Sequence, residues 1–200
     1  MKKKFLLFLL GVCSTLTLAA QNHATRGTLE VAVNYNAARN GEVQPFWFQG
    51  GNVQLEGRFW RGLGAVAEVG GLHTANMHGA GVGLDLITAS FGPRYTIALH
   101  DVVARRAARF DANRRVTLYG ETLAGVANGL HSVFPATGAA EDSATGFALA
   151  LGGGINYRLS SRLSVRALEA NWLRTTVPNG TDNVQNNLRL GAGLVWHVKN

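Results

Sequence analysis

Residues 146–172 read GFALALGGGINYRLSSRLSVRALEANW. In the first half of this stretch, Phe147, Leu149, Leu151, Ile155, Tyr157 and Leu159 share one parity. Ala148, Ala150, Gly152, Gly154, Asn156 and Arg158 share the other. A period of two defines a β-strand, because successive side chains point to opposite faces. The second face is neither a solvated row of charges nor a packed apolar layer. It is almost bare and ends in an arginine, so its surroundings are short of space and polar.

Working outward, the same period recurs along the chain. Eight segments alternate, near 27–38, 48–60, 63–73, 80–97, 115–128, 145–159, 162–174 and 184–198. Most exceed the five or six residues usual in soluble strands and reach the roughly 9–11 that a tilted strand needs to cross a bilayer. In the first, Leu29, Val31, Val33 and Tyr35 oppose Thr28, Glu30, Ala32, Asn34 and Asn36. In the last, Leu188, Leu190, Ala192, Leu194 and Trp196 oppose Asn187, Arg189, Gly191 and Gly193. The parity of Leu84 and Leu86 differs from that of Phe91 and Tyr95, and that of Val165 and Ala167 from Ala170 and Trp172. A β-bulge in each strand is the expected repair. Links alternate between tight turns (Arg61-Gly62, Ser160-Ser161) and long loops, with one exception, the long basic link around residues 98–115. Gly is abundant at 25 and Pro scarce at 4, and no stretch has the 3.6-residue period of a long amphipathic helix.

The chain opens with Lys2, Lys3 and Lys4, an apolar run from Phe5 to Leu18, and small residues at Ala19 and Ala20. This is the layout of a secretory signal peptide, too short for a spanning helix. We expect residues 1–20 to be a cleaved leader and 21–200 one domain. Loss of three lysines takes the net charge from +7 to +4, and Cys13, the sole cysteine, leaves with the leader. The exported domain then has no disulfide to support it.

Alternation alone does not say which face meets water. The thin polar face decides for an inverted barrel: an eight-stranded barrel has an interior just wide enough for side chains, and large ones need small neighbours. Both charge signs lie on that face. Glu30, Glu56 and Glu68 can meet Arg58, Arg94, Arg158, Arg166 and Arg189 inside the barrel, where an unpaired charge is costly. Tyr35, Trp60, Tyr95, Tyr157, Trp172 and Trp196 lie near strand ends, as an aromatic girdle at the two headgroup levels requires.

The segments FGPRY (91–95), ALGGGINYRLSSRLSVR (150–166) and NNLRLGAGLVW (186–196) resemble strands of the small bacterial outer-membrane β-barrels, the type of the OmpA transmembrane domain and OmpX, or a porin-like outer-membrane β-barrel domain. The resemblance covers essentially the whole mature chain. It implies residence in the bacterial outer membrane, contact with outer-membrane lipids, and insertion by the outer-membrane assembly machinery. That machinery recognises an alternating last strand ending in an aromatic residue. Leu190, Ala192, Leu194 and Trp196 fit, although four residues follow where the family usually ends in Phe.

No catalytic, cofactor or metal constellation emerges. His131-Ser132 suggests a hydrolase, but neighbouring strand residues face opposite ways and no third member is visible. His73 and His78 flank a loop without a four-ligand set. The glycines at 152–154 precede no Lys-Ser/Thr and no helix, so they are not a phosphate loop. Asn179-Gly180-Thr181 reads as a turn. Arg105, Arg106, Arg109, Arg114 and Arg115 form one basic link without interleaved aromatics, which argues against nucleic acid. They suit an amphipathic turn at a headgroup surface or a solvated loop. Phe46, Trp47 and Phe48 suit an outward contact or the girdle.

The expected fold is therefore all-β: an eight-stranded antiparallel transmembrane β-barrel, an up-and-down meander, with both termini in the periplasm. The expected role is non-enzymatic, structural or surface-interacting, with an extracellular partner met through the long loops. Two alternatives remain at this point: an outer-membrane lipid-modifying enzyme and a secreted, soluble lipocalin-like binding barrel.

Overall fold

The computed structural model describes residues 28–41, 45–77, 82–99, 115–135, 140–179 and 183–199. The expected leader, His78 and residues 100–114 of the basic link lie outside these.

Eight strands follow one another: β1 (Thr28–Asn40), β2 (Trp47–Trp60), β3 (Leu63–Met77), β4 (Val82–Ala98), β5 (Val116–Pro135), β6 (Ala140–Arg158), β7 (Leu163–Thr175) and β8 (Gln185–Lys199). Each pairs antiparallel with its chain neighbour, and β1 pairs with β8 to close the barrel. Closure satisfies the backbone of every strand and leaves no edge, the condition for strands to stand in lipid.

The side chains sort as an inverted barrel. Leu55 is 43 % exposed on the outside, while the adjacent Glu56 is 3 % exposed inside. Leu29, Val33, Val53, Val69, Ile87, Phe91, Leu151 and Leu190 are exposed around the outer wall. A wall of that kind faces acyl chains, which removes the soluble lipocalin-like alternative.

At one end the turns are tight. Arg61 (φ 38°) and Gly62 (φ 89°) take consecutive left-handed conformations, the twist that a two-residue hairpin favours. The β6–β7 turn is held by Leu159 N and Ser160 N, both donating to Leu163 O at 3.0 Å. At the other end β5 and β6, of 20 and 19 residues, outrun the length needed to cross a bilayer. Residues 129–135 and 140–144, expected in a loop, are strand instead.

One expected bulge is present and the other is not. Pairing of β7 with β8 slips between Arg166 and Glu169, which restores parity along β7. In β4 no slip occurs from Leu84 to Tyr95. Leu84 and Leu86 simply face the lumen, because its upper part is apolar.

Candidate functional site: the barrel lumen

The lower lumen is filled by one hydrogen-bonded plug to which all eight strands contribute. Its hub is Arg94 on β4. Arg94 Nη1 donates to Glu56 Oε2 at 2.8 Å, Nη2 to Gln54 Oε1 at 2.6 Å, and Nε to Glu121 Oε2 at 3.0 Å. Its guanidinium lies 4.2 Å from the centre of the Tyr119 ring, and that of Arg166 lies 4.7 Å from the same ring. The Tyr119 ring thus attracts both guanidiniums, which also share Gln54 Oε1 as an acceptor. Its hydroxyl donates to Glu169 at 2.7 Å.

Arg166 Nη1 reaches Glu169 at 2.6 Å and Gln54 at 2.5 Å, and its Nε reaches Asn156 at 3.1 Å. Arg189 on β8 crosses to Glu68 on β3 with a two-pronged pair at 2.7 and 3.0 Å. Asn52 and Gln54 add donors to Glu68, and Asn171 adds donors to Glu121 and Glu169. On β1, Asn34 donates to Asn52 at 2.6 Å. Nearer the short turns, Arg58 joins Glu30 and Glu56. His197 Nδ1 meets Glu30 at 2.8 Å, and on the other side of its ring Nε2 meets Ser164 at 2.7 Å. Five glutamates therefore face four arginines, close to charge balance, as a low-dielectric interior demands, and His197 adds a hydrogen bond to Glu30.

The bare face of the opening stretch now has a cause. A Cβ on Gly152 would strike the Asn171 amide, and one on Gly154 the Tyr119 phenol. On β8 the same holds for Gly191 against Asn36 and Gly193 against Asn34. The glycines are the spaces that plug side chains occupy.

Of the charges expected inside, Glu30, Glu56, Glu68, Arg94, Arg166 and Arg189 are buried and Arg58 is partly buried. Arg158 is the correction. It is exposed at the rim, where its guanidinium donates to Ser160 O and Ser161 O at 3.2 Å. β6 ends there, so correct parity no longer means enclosure. The expectation also omitted Tyr119, Glu121 and Glu169, on which the plug depends.

All six expected girdle residues point outward and are exposed. Trp60 and Tyr95 both pair with Leu63, Trp196 pairs with Leu163, and Tyr157 pairs with Val165, so four lie near the short-turn end. Tyr35 and Trp172 stand further up. Trp47 is likewise outward at 55 % exposure, but Phe46 and Phe48 correct the outward reading: both are buried, their ring centres 4.8 Å apart.

Above the plug the lumen changes character. Phe46, Phe48, Leu72, Leu86, Leu123, Phe134, Leu173 and Val177 form an apolar cluster. A cavity of about 220 Å³ opens beside this cluster towards the long-loop end, its wall shared between apolar side chains such as Phe46, Phe48 and Leu86 and polar ones such as Ser132, Thr175 and Gln185.

On the outer surface at the long-loop end, above the part of the strands that crosses the bilayer, Asp85 holds two histidines. Its Oδ1 meets His73 Nδ1 at 2.5 Å and Oδ2 meets His131 Nδ1 at 2.6 Å. Hydrogen bonds from both imidazoles hold the Asp85 carboxyl below the usual aspartate range. His131 takes a left-handed φ of 57° at the irregularity in β5, so it faces out while Ser132 is buried facing in. The two cannot act as a base–nucleophile pair. Among the described residues no cluster of His, Cys, Asp and Glu is arranged to hold a metal.

No family model and no curated protein matches the chain. Among solved structures, it is similar to Neisserial surface protein A (NspA), with a TM-score of 0.57 and 13 % identity over 88 % of this chain and 99 % of that one. It also matches Ail, the attachment invasion locus protein of Yersinia pestis, with a TM-score of 0.44 and 15 % identity over 84 % of this chain and 97 % of Ail. The closed eight-strand meander, its apolar outer wall and the NspA superposition together give this chain the fold of the small bacterial outer-membrane β-barrels.

Proposed function

We propose that the protein is a non-enzymatic integral barrel of the bacterial outer membrane, with its termini and tight turns in the periplasm and its long hairpins outside. The observation that carries this reading is the plug. All eight strands place bonded polar side chains across the lower lumen, under an apolar outer wall. That arrangement supports stability in lipid and leaves no wide pore, as expected for eight strands. The aromatic residues would anchor the barrel at the headgroups, and outer-membrane lipids and the assembly machinery are the partners the fold implies. The projecting β5–β6 hairpin and the long loops would carry a surface interaction with an extracellular partner. The divergence of His131 and Ser132 weighs against lipid hydrolysis.

Three measurements test this. The protein should remain in carbonate-washed outer membranes. In planar bilayers it should give no large, steady conductance. Replacing residues 131–143 by a short turn should leave the folded, heat-modifiable barrel intact while abolishing binding of expressing cells to their target surface. Carbonate extraction, porin-scale conductance or lipid deacylase activity would each overturn it.

A further inference from the structure

The charge outside the lumen is sorted by end. Three connections join strands at the short-turn end, and each carries arginine. Arg61 lies between β2 and β3, Arg115 where the β4–β5 link enters β5, and Arg158 and Arg162 around the β6–β7 turn. All four are exposed, and among the described residues none of them meets a carboxylate. The link itself adds four arginines against two aspartates over residues 99–114. By their place in the chain, Glu42, Asp85, Glu141, Asp142 and Asp182 all fall at the opposite, long-loop end.

Two of these arginines are held in place. Arg158 Nε and Nη2 donate to Ser160 O and Ser161 O at 3.2 Å, which pins the guanidinium to its turn and leaves Nη1 for an outside acceptor. The Arg61 guanidinium lies 5.8 Å from the centre of the Trp60 ring. Pairing of Val116 with Tyr157 brings the next residues along, Arg115 and Arg158, to neighbouring positions at the rim. Like charges set side by side repel, and an anion from outside relieves the repulsion. The outer wall fixes the depth at which that anion lies. Trp60, Tyr157 and Trp196 face outward beside these arginines, with Phe59 and Leu159 exposed at 57 % and 51 %. The arginines therefore stand at the edge of the apolar band, the level of lipid phosphates.

We propose that the short-turn rim is a binding surface for the phosphates of acidic phospholipids in the leaflet facing the periplasm. The inference rests on the membrane reading above and adds the class of lipid that the barrel selects. A guanidinium donates two parallel hydrogen bonds to phosphate oxygens. An acidic headgroup such as phosphatidylglycerol brings that phosphate with its charge uncompensated. A zwitterionic headgroup brings an ammonium as well, which the arginines repel. A soluble acidic polymer would meet the same charges but would make no use of the flanking rings and apolar side chains.

The test compares the association of spin-labelled phosphatidylglycerol and spin-labelled phosphatidylcholine with the folded barrel in phosphatidylcholine vesicles. Phosphatidylglycerol should associate more strongly by about threefold or more at low salt. The preference should fall towards parity in molar salt, which screens exposed charges. Arg61→Gln, Arg115→Gln, Arg158→Gln and Arg162→Gln combined should abolish it. Arg39→Gln with Arg174→Gln, exposed at the long-loop end, should retain most of it. Heat-modifiable migration confirms that the variants are folded. If loss of Arg158 unsettles its turn, the triple variant that keeps Arg158 should still lose at least half of the preference. Inorganic phosphate at matched ionic strength should not displace the lipid. Equal association in the native barrel, a preference undiminished in the folded rim variants, or one lost equally with Arg39 and Arg174 would overturn the site. Displacement by inorganic phosphate, or capture of polyglutamate without any lipid preference, would overturn the assigned lipid. Carbonate extraction of the native protein would instead refute the membrane reading, so the two failures are distinguishable.

Discussion

Replacing Arg94 by methionine removes the hub of the plug while keeping much of its volume. The guanidinium bonds Glu56 at 2.8 Å, Gln54 at 2.6 Å and Glu121 at 2.5 and 3.0 Å, and it is 1 % exposed. Loss of one partner of a buried ion pair is unfavourable by about 3–5 kcal/mol, chiefly because the other charge is stranded. The two carboxylates are not stranded equally. Glu56 keeps Arg58 at 3.0 Å, whereas Glu121 keeps only the Asn171 amide at 3.1 Å. Most of the loss, about 4 kcal/mol in all, therefore falls on Glu121. Glu121→Gln alone leaves Arg94 with Glu56 and Gln54 and should cost about 1.5 kcal/mol. The double variant has no stranded charge at that point and should lose about 3 kcal/mol rather than the additive ~5.5, a coupling of about 2.5. Urea unfolding of the four proteins in lipid vesicles, followed by tryptophan emission and heat-modifiable migration, measures the cycle. An Arg94→Met variant within about 1 kcal/mol of the native barrel, or a strictly additive double variant, would refute the account of the plug as a charge-balanced unit.

Other outcomes follow from the same geometry. Gly152→Val should destabilise by about 1–3 kcal/mol through overpacking against Asn171, while Gly71→Ala, with open space around it, should be neutral; the same urea assay compares them. Val53→Arg places a charge on the outer wall between Val33 and Val69 and should cost about 2–4 kcal/mol in lipid, an effect absent from a water-facing surface. Asp85 has a lowered carboxyl value, so its contribution is complete above the ordinary aspartate range and is lost as pH falls through the folded value. Asp85→Asn should accordingly raise hydrogen exchange at the upper ends of β4 and β5 at neutral pH, and the difference from the native protein should vanish in strong acid.

Much of this architecture is legible in the chain because its physics is local. From Glu30 to Asn40 in β1, Trp47 to Arg58 in β2 and Asn187 to His197 in β8 the alternation is uninterrupted, so which residues face the lumen there follows from counting by two. Counting fails where pairing slips. From Ser164 and Arg166 the count places Leu168 inside and Glu169 outside; the irregularity after Arg166 reverses this and delivers Glu169 to the plug. Glu121 was obscured differently. It shares a face with Tyr119, Leu123 and Ala127, and a face so mixed carries no clear sign when a lumen is assumed polar throughout. The same assumption sent Phe46 and Phe48 outward and required a bulge at Leu84 and Leu86. Strand ends were lost because residues 129–135 and 140–144 are rich in Gly, Ala, Ser and Pro, the composition of loops, and are held as strand by pairing across a hairpin.

The plug also explains how a chain without disulfides selects one register among eight hairpin and closure pairings. A slip of one residue in any strand exchanges its two faces. For β2 that would send Glu56 and Arg58 into acyl chains and draw Val53 and Leu55 inward; for β4 it would expose Arg94, and for β8 Arg189. An arginine on the lipid face is unfavourable by about 2–4 kcal/mol near the midplane, and its stranded partner inside adds a comparable amount. The correct register avoids both, and each crossing bond ties non-adjacent strands: Arg189 to Glu68 joins β8 to β3, and Arg166 to Gln54 joins β7 to β2. Such bonds form only after closure, so they stabilise the finished cylinder more than any open sheet that precedes it. Pairs like these need not exceed a well-packed apolar core in net stability. Their contribution is discrimination: the apolar outer wall favours insertion in either register, and the buried charges penalise the wrong one.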